Sequence, residues 1–363
     1  MIDYSLSDRP EYIEQLRAEA RGIAYRPAKR RKNNSVAPLD PNEARYLFTA
    51  YTGNRWMEVG AREPAAKMLF GKLWYEHELC FLFANSNTGK SVLAVQIGDA
   101  IARGAQGGPF ACEVQGANVL YADFELSSLQ FHQRYSDGAN EYAFHDNFIR
   151  AQFNPATDTS NIRGIDQYST DDWLIAGLEY RIRQLKTRVL IIDNISCLGG
   201  GTSNAAAALK IINKLNALRA QYKLSILVLA HTPKRNNKPM PVTIDDLHGS
   251  KLLINFADSA FTIGVSNTDN SQRYIKQIKQ RSTQPVYGED NVALCRLEKP
   301  SDCLRFRFEG NSTEQFQLRN AAAVEREKLS EQMRQLTAEG NTQRQISEQL
   351  GVSLCKVNRL LNG

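Results

Sequence analysis

Glu78 to Ser91, read ELCFLFANSNTGKS, is the stretch that decides the fold. Leu79 to Phe83 is an apolar, aromatic run short enough for a buried strand. Asn85, Ser86, Asn87 and Thr88 then make a polar, turn-forming segment ahead of Gly89-Lys90-Ser91. Val92, Val95, Ile97, Ala100 and Ile101 follow at spacings that suit a mostly buried helix stopping at Gly104. Strand, polar loop, GKS and helix, in that order, are the context of a phosphate-binding loop. Successive backbone N–H groups and a helix N-terminus form a concave anion site. Lys90 adds a mobile point charge for the β- and γ-phosphates of a nucleoside triphosphate, and the Ser91 hydroxyl can ligate Mg²⁺. Asn85, Ser86, Asn87, Thr88, Gly89, Lys90 and Ser91 are therefore assigned to the nucleotide. The usual pattern opens with Gly where this chain has Ala84. Ala costs little there at negative φ and is strained at positive φ.

Outward from this stretch, residues 67–310 alternate apolar runs with helical ones. Strands are expected at 79–84, 118–123, 147–152, 188–193, 224–230, 258–265, 272–279, 291–297 and 303–308, with crossover helices at 90–103, 171–186 and 204–222. The first five strands alternate with helical segments and predict an α/β core with a mostly parallel sheet flanked by helices. The later ones, joined by short turns, are expected to extend it antiparallel. Residues 1–66 read as a basic, partly helical arm. It has a short helix near 9–21, a basic run RPAKRRKNN at 26–34, and a second helix opened by Asp40-Pro41 and stopped by Gly53. The basic run suits a solvated linker or a nucleic-acid contact.

Residues 321–363 change character again. Val324, Leu329, Met333 and Leu336 form a helical stripe ending at Gly340, and Thr342-Gln343-Arg344-Gln345 is a capping box. Gly351-Val352-Ser353 makes a tight turn into a last helix with Val357, Leu360 and Leu361 inward. RQISEQLGVSLCKVNRLL resembles the DNA-binding end of resolvases, a helix-turn-helix. On that reading Ser353, Lys356, Asn358 and Arg359 contact duplex DNA; the alternative is a small helical cap for protein contacts.

With 363 residues, the chain can hold one large core plus small appendages. A formal charge of +6 permits a polyanionic partner without requiring one. Six scattered cysteines with no CxxC fit reduced core thiols rather than a disulfide framework or a metal site. The N-terminus lacks the apolar segment of a signal peptide, and no run reaches membrane-spanning length. A cytoplasmic protein with no membrane association is expected.

Arg188 to Asp193, RVLIID, reads as a buried strand whose terminal acid supports Mg²⁺. The next residue is Asn194, where AAA+ ATPases usually carry the water-activating glutamate. The alternative base is Glu125, at the end of the strand NVLYAD. There it either polarises a water in line with the γ-phosphate or serves as an acid at a helix N-terminus.

Glu125-Leu126-Ser127 with Gln130 and Arg134 matches, in register, the segment after the second core strand of DnaB-type replicative hexameric helicases. Leu229-Ala230-His231 is similar to the strand-end sensor of these enzymes and of plasmid RepA helicases. Asp246-Leu247, Gly249-Ser250 and Ala257-Asp258 resemble the DLxxSGxIxxxAD segment, and Lys279-Gln280-Arg281 the K-x-R element. The resemblance covers about residues 67–290 and extends to AAA_25-like P-loop ATPases of mobile elements. It implies a RecA-like ATPase that binds ATP and Mg²⁺. In it Lys90 and Ser91 hold phosphates and metal, Asp193 supports the metal, Glu125 activates water and His231 senses the γ-phosphate. Lys279 and Arg281 reach a neighbouring subunit's nucleotide, the alternative being a solvated strand edge. Such enzymes form homo-oligomers, most often hexamers, around single-stranded DNA. Loops at 198–206 and 232–247, the second bearing Lys234, Arg235 and Lys238, are placed to track it. A ring-forming DNA motor is the leading expectation. The rivals are an ATPase regulator assembling on duplex DNA and a nucleotide-gated DNA-binding switch.

Overall fold

The structure, a computed structural model, describes residues 48–154, 162, 168–195, 205–232, 240–246 and 251–362. The chain divides into two units, Met1–Pro64 and Ala65–Gly363. In the first, the helices expected before residue 48 and the basic run at 26–34 lie outside the described residues. Helix α1, Gly53–Arg62, overturns the expectation that Gly53 stops a helix. Thr52 is the N-cap, its side chain accepting from Arg55 N, and Gly53 takes the first helical position. There its backbone N–H is one of the donors that have no intrahelical partner anyway.

The second unit begins with a small antiparallel pair, β1 (Met68–Phe70) and β2 (Trp74–Tyr75). The main sheet follows, with β3 (Leu79–Ala84), helix α2 (Lys90–Arg103), β4 (Val119–Asp123), α3 (Ser128–Arg134) and β5 (Phe148–Gln152). Next come α4 (Thr170–Gln184), β6 (Val189–Asp193), α5 (Ala205–Tyr222) and β7 (Ser225–His231). Every strand and crossover helix expected over 79–230 is present within a few residues. Side chains of β3 alternate between two cores. Cys80, Leu82 and Ala84 join Val92, Leu93 and Ile101 of α2 on one face. Leu79, Phe81 and Phe83 join Ile175 and Leu178 of α4 and Ile211 and Leu215 of α5 on the other. A strand covered on both faces needs apolar residues at every position, which is why 79–84 is an unbroken run.

Helix α6 (Lys251–Phe256) leads into β8 (Ser259–Val265), and β9 (Gln272–Gln280), β10 (Val292–Glu298) and β11 (Arg305–Ser312) complete the sheet. The nine strands lie in the order β11-β10-β9-β8-β3-β7-β6-β4-β5. Here one expectation is corrected: β8 pairs parallel to β3, and antiparallel pairing begins only between β8 and β9 and continues through β10 and β11. The segment 232–258, which contains α6, is long enough to carry the chain back to the starting edge, as a parallel crossover demands. The strand of the phosphate loop is thus separated from the acid-ended β6 by β7, the order of a RecA-like core.

After α7 (Glu314–Gln317), helices α8 (Ala321–Ala338), α9 (Gln343–Leu350) and α10 (Leu354–Asn362) enclose a small core of Met333, Ile346, Val357 and Leu360. Thr342 and Gln345 form the expected reciprocal capping box, and Gly351, at φ 64°, ends α9 in the left-handed conformation.

The central-strand packing carries a direct expectation. Phe81→Ala, which empties a fully buried ring position, should lower unfolding free energy by roughly 3 to 5 kcal/mol in urea titration.

Candidate active site

The phosphate loop spans the bend between β3 and α2. Its left-handed positions are Asn87, at φ 62°, and Gly89, at φ 101°; Ala84 is not one of them, so the missing glycine leaves no backbone strain. Asparagine tolerates this region better than most residues, which suits position 87. Gly89 is required twice over, because a Cβ there would also lie 2.7 Å from Cζ of Phe306 on β11. Thr88 Oγ1 donates to Asn85 O at 2.8 Å and draws the loop closed. Lys90 Nζ donates to Ala84 O and Asn85 O, both at 2.9 Å, and to Nδ1 of His231 at 3.2 Å. Lys90 is buried, and desolvation lowers its pKa while Asp193 and Glu125 oppose the shift.

Strand register assembles the rest. In the parallel β3–β7 pair Ala84 lies opposite His231, which brings the imidazole against Lys90. In β4–β6 Asp123 lies opposite Asp193. Asp193 is buried and hydrogen-bonded to the Ser91 hydroxyl, and it accepts from Tyr121 Oη at 2.5 Å. Burial pushes its carboxyl up to about 6, against these two hydrogen bonds, with Glu125 and Asp123 adding repulsion. One hydroxyl and one carboxylate, both hard oxygen donors at the start of α2 and the end of β6, fit Mg²⁺. Such an ion fills its remaining positions with water and phosphate oxygens.

Glu125 stands two residues beyond Asp123, whose Oδ1 accepts from the backbone N–H of Glu125 at 3.0 Å and of Leu126 at 2.9 Å. Arg150 Nε fixes Asp123 from β5 at 2.9 Å. Oε1 of Glu125 accepts from Asn194 Nδ2 and lies 3.5 Å from His231 Nε2. Lys90 can only donate, so Nδ1 of His231 is the accepting nitrogen and Nε2 carries the proton toward Glu125. Lys90, His231, Glu125 and Asn194 form one connected chain, with Ser91 and Asp193 beside it. Ser127 and Gln130, part of the helicase-like segment, are accounted for locally: they form the capping box of α3.

Other expected site residues lie apart. Lys279 Nζ donates to Ile254 O at 2.5 Å and Asn255 O at 3.3 Å, and Arg281 Nη2 donates to Asn255 O at 2.5 Å. Both cations cap the last turn of α6, a favourable place for positive charge. Arg281 N donates to Asp258 O while Asp258 N donates to Leu79 O, so this pair sits at the opposite end of the sheet from its own phosphate loop. Ser353 Oγ accepts from Lys356 N at 3.3 Å at the start of α10, and Lys356, Asn358 and Arg359 are exposed there. Lys234, Arg235 and Lys238, with most of 198–206, lie outside the described residues. No sequence motif marks Asn194, Tyr121 or Arg150 as site residues. Asn194 was visible as the residue after Asp193, but its partner is distant in sequence.

Phosphate loop, acid-ended strand and RecA-like strand order define a P-loop ATPase. The sequence profile of the AAA domain family (AAA_25) matches residues 51–237, just over half of the chain, and the chain belongs to that family. No curated protein matches it. Among solved structures, the KaiC-like protein PH0186 from the hyperthermophilic archaeon Pyrococcus horikoshii OT3 is similar at 13% identity and a TM-score of 0.40. That similarity covers 64% of this chain and 91% of that one. Among the described residues no helix is long and apolar enough to cross a membrane.

Asp193 makes the site unstable in a pH-dependent way. Its folded pKa, about 6, is raised above the ordinary 3.8, so its contribution to stability is full below pH 4 and is lost as pH rises through 6. Asp193→Asn should therefore stabilise the metal-free chain at pH 8 by up to roughly 3 kcal/mol, with the gain vanishing near pH 4 in urea unfolding.

Proposed function

We propose that the chain is an ATP-dependent DNA motor, a ring-forming, helicase-like ATPase serving the replication or mobilisation of a mobile element. The observation that carries the reading is the Lys90–His231–Glu125 chain, which joins a phosphate-binding lysine to a carboxylate through one imidazole. Lys90 and the loop N–H groups bind the β- and γ-phosphates. Mg²⁺, held by Ser91 and Asp193, would offset charge developing on the phosphate oxygens. Glu125 takes the proton of the attacking water. His231 contacts Lys90 on one side and Glu125 on the other, so a change in the lysine's partners on phosphate binding reaches the base. It also ends the strand that leads into the segment bearing Lys234, Arg235 and Lys238, the proposed contacts to single-stranded DNA.

Lys279 and Arg281 lie at the far end of the sheet, and a role in hydrolysis places them at the nucleotide of an adjacent copy. That requires a homo-oligomer, for which a hexamer is proposed. A second reading, an ATPase regulator that assembles on duplex DNA without unwinding it, is favoured by α9 and α10. Their capped, tight turn presents Ser353, Lys356, Asn358 and Arg359 outward, as a helix-turn-helix reading a major groove does.

A forked-duplex displacement assay with ATP separates the two. The motor reading expects strand displacement by the native chain and none by Lys90→Ala. Duplex-stimulated hydrolysis without displacement selects the regulator, and absence of any turnover in the presence of DNA refutes both.

A further inference from the structure

We propose that Asn194 is the positioning residue for the Glu125 carboxylate, a role that rests on Glu125 being the base. Asn194 is 3% exposed and stands one residue beyond the end of β6. Its Nδ2 donates to Oε1 of Glu125. His231 Nε2 approaches the same oxygen at 3.5 Å. Because that nitrogen carries the imidazole proton when Nδ1 accepts from Lys90, both groups present N–H to Oε1. The Asn194 amide, 3.1 Å from Nε2, therefore serves the carboxylate rather than the ring. Oε2 has no hydrogen-bond partner among the described residues.

Backbone and side chain of Glu125 are thus held by different groups. Asp123, pinned by Arg150, sets the backbone through two N–H bonds. Asn194 and His231 set the carboxyl plane by engaging one oxygen. The torsion of a carboxyl group is broad and roughly two-fold, so a free Glu125 would present either oxygen over a wide arc. Held at Oε1, it presents Oε2 in one direction. In hydrolysis the water proton passes to Oε2 as the water oxygen bonds to the γ-phosphorus. The bond from that phosphorus to the bridging oxygen breaks, and ADP leaves with the electron pair. Position 194 needs a donor for this task. A carboxylate there would set two like charges in contact and offer no N–H, so the asparagine after Asp193 suits a base carried on the neighbouring strand.

The test uses the full-length chain with Mg²⁺ and ATP. Asn194→Ala should lower single-turnover hydrolysis by about tenfold to a hundredfold, the range expected when a reacting group is misplaced by an ångström. Binding of a fluorescent ATP analogue should be unchanged. Asn194→Asp keeps the volume and replaces the donor by an acceptor; it should lose at least as much, and it carries the test if the alanine variant fails to fold. In a Glu125→Gln background Asn194→Ala should cost nothing further, because the two act as one unit. Full turnover in both Asn194 variants overturns the proposal. So does an equal loss in the native and Glu125→Gln backgrounds, which marks Asn194 as merely structural. If Glu125→Gln itself turns over at the native rate, the base assignment is what fails.

Discussion

The Lys90 ammonium is the group around which the rest of the core is arranged. A buried ammonium must have all three N–H bonds accepted, and here the acceptors are two carbonyls of its own loop and one imidazole nitrogen. Burial works against its charge and lowers its pKa, and the carboxylates of Asp193 and Glu125 offset part of that effect. The three acceptors come from consecutive residues 84 and 85 and from the end of β7. Strand β7 must therefore sit beside β3 in one register, with His231 opposite Ala84. A slip of one residue would turn His231 to the other face of the sheet and leave Lys90 with an unmatched donor.

The same register logic runs across the sheet. β6 lies next to β7, and β4 next to β6, so the ends of four parallel strands deliver Ala84, His231, Asp193 and Asp123 to one edge. Each brings a different group: a carbonyl, an imidazole, a buried acid beside the Ser91 hydroxyl, and an acid whose carboxylate accepts from the backbone of Glu125 and Leu126. The two apolar cores on the faces of the sheet give these strands little freedom to shift, because close-packed interiors resist displacement. Precision at the edge is a consequence of the packing behind it.

The site works against its own stability. Asp193 is desolvated enough to sit near pH 6, with Glu125 and Asp123 close by, and Asn87 takes a left-handed backbone that most residues avoid. These features are concentrated where charge and an open anion cradle are needed, as expected when function and stability compete. Elsewhere the charged groups are placed conservatively. Lys279 and Arg281 cap the last turn of α6.

Local chemistry made much of this legible in advance. The apolar runs, the GKS turn, the glycine after α2 and the Thr342 capping box each depend on residues close in sequence, and each appears where its residues predict. The sequence alone determined the α/β core and the phosphate loop, because a buried strand and a phosphate cradle need particular residue types at short spacing. Only the tertiary structure decided that β8 runs parallel, that Phe306 closes over Gly89, and that Asn194 and His231 meet at Glu125. Those outcomes depend on which strands become neighbours and in what register, and pairing between distant segments leaves no mark in the spacing along either one.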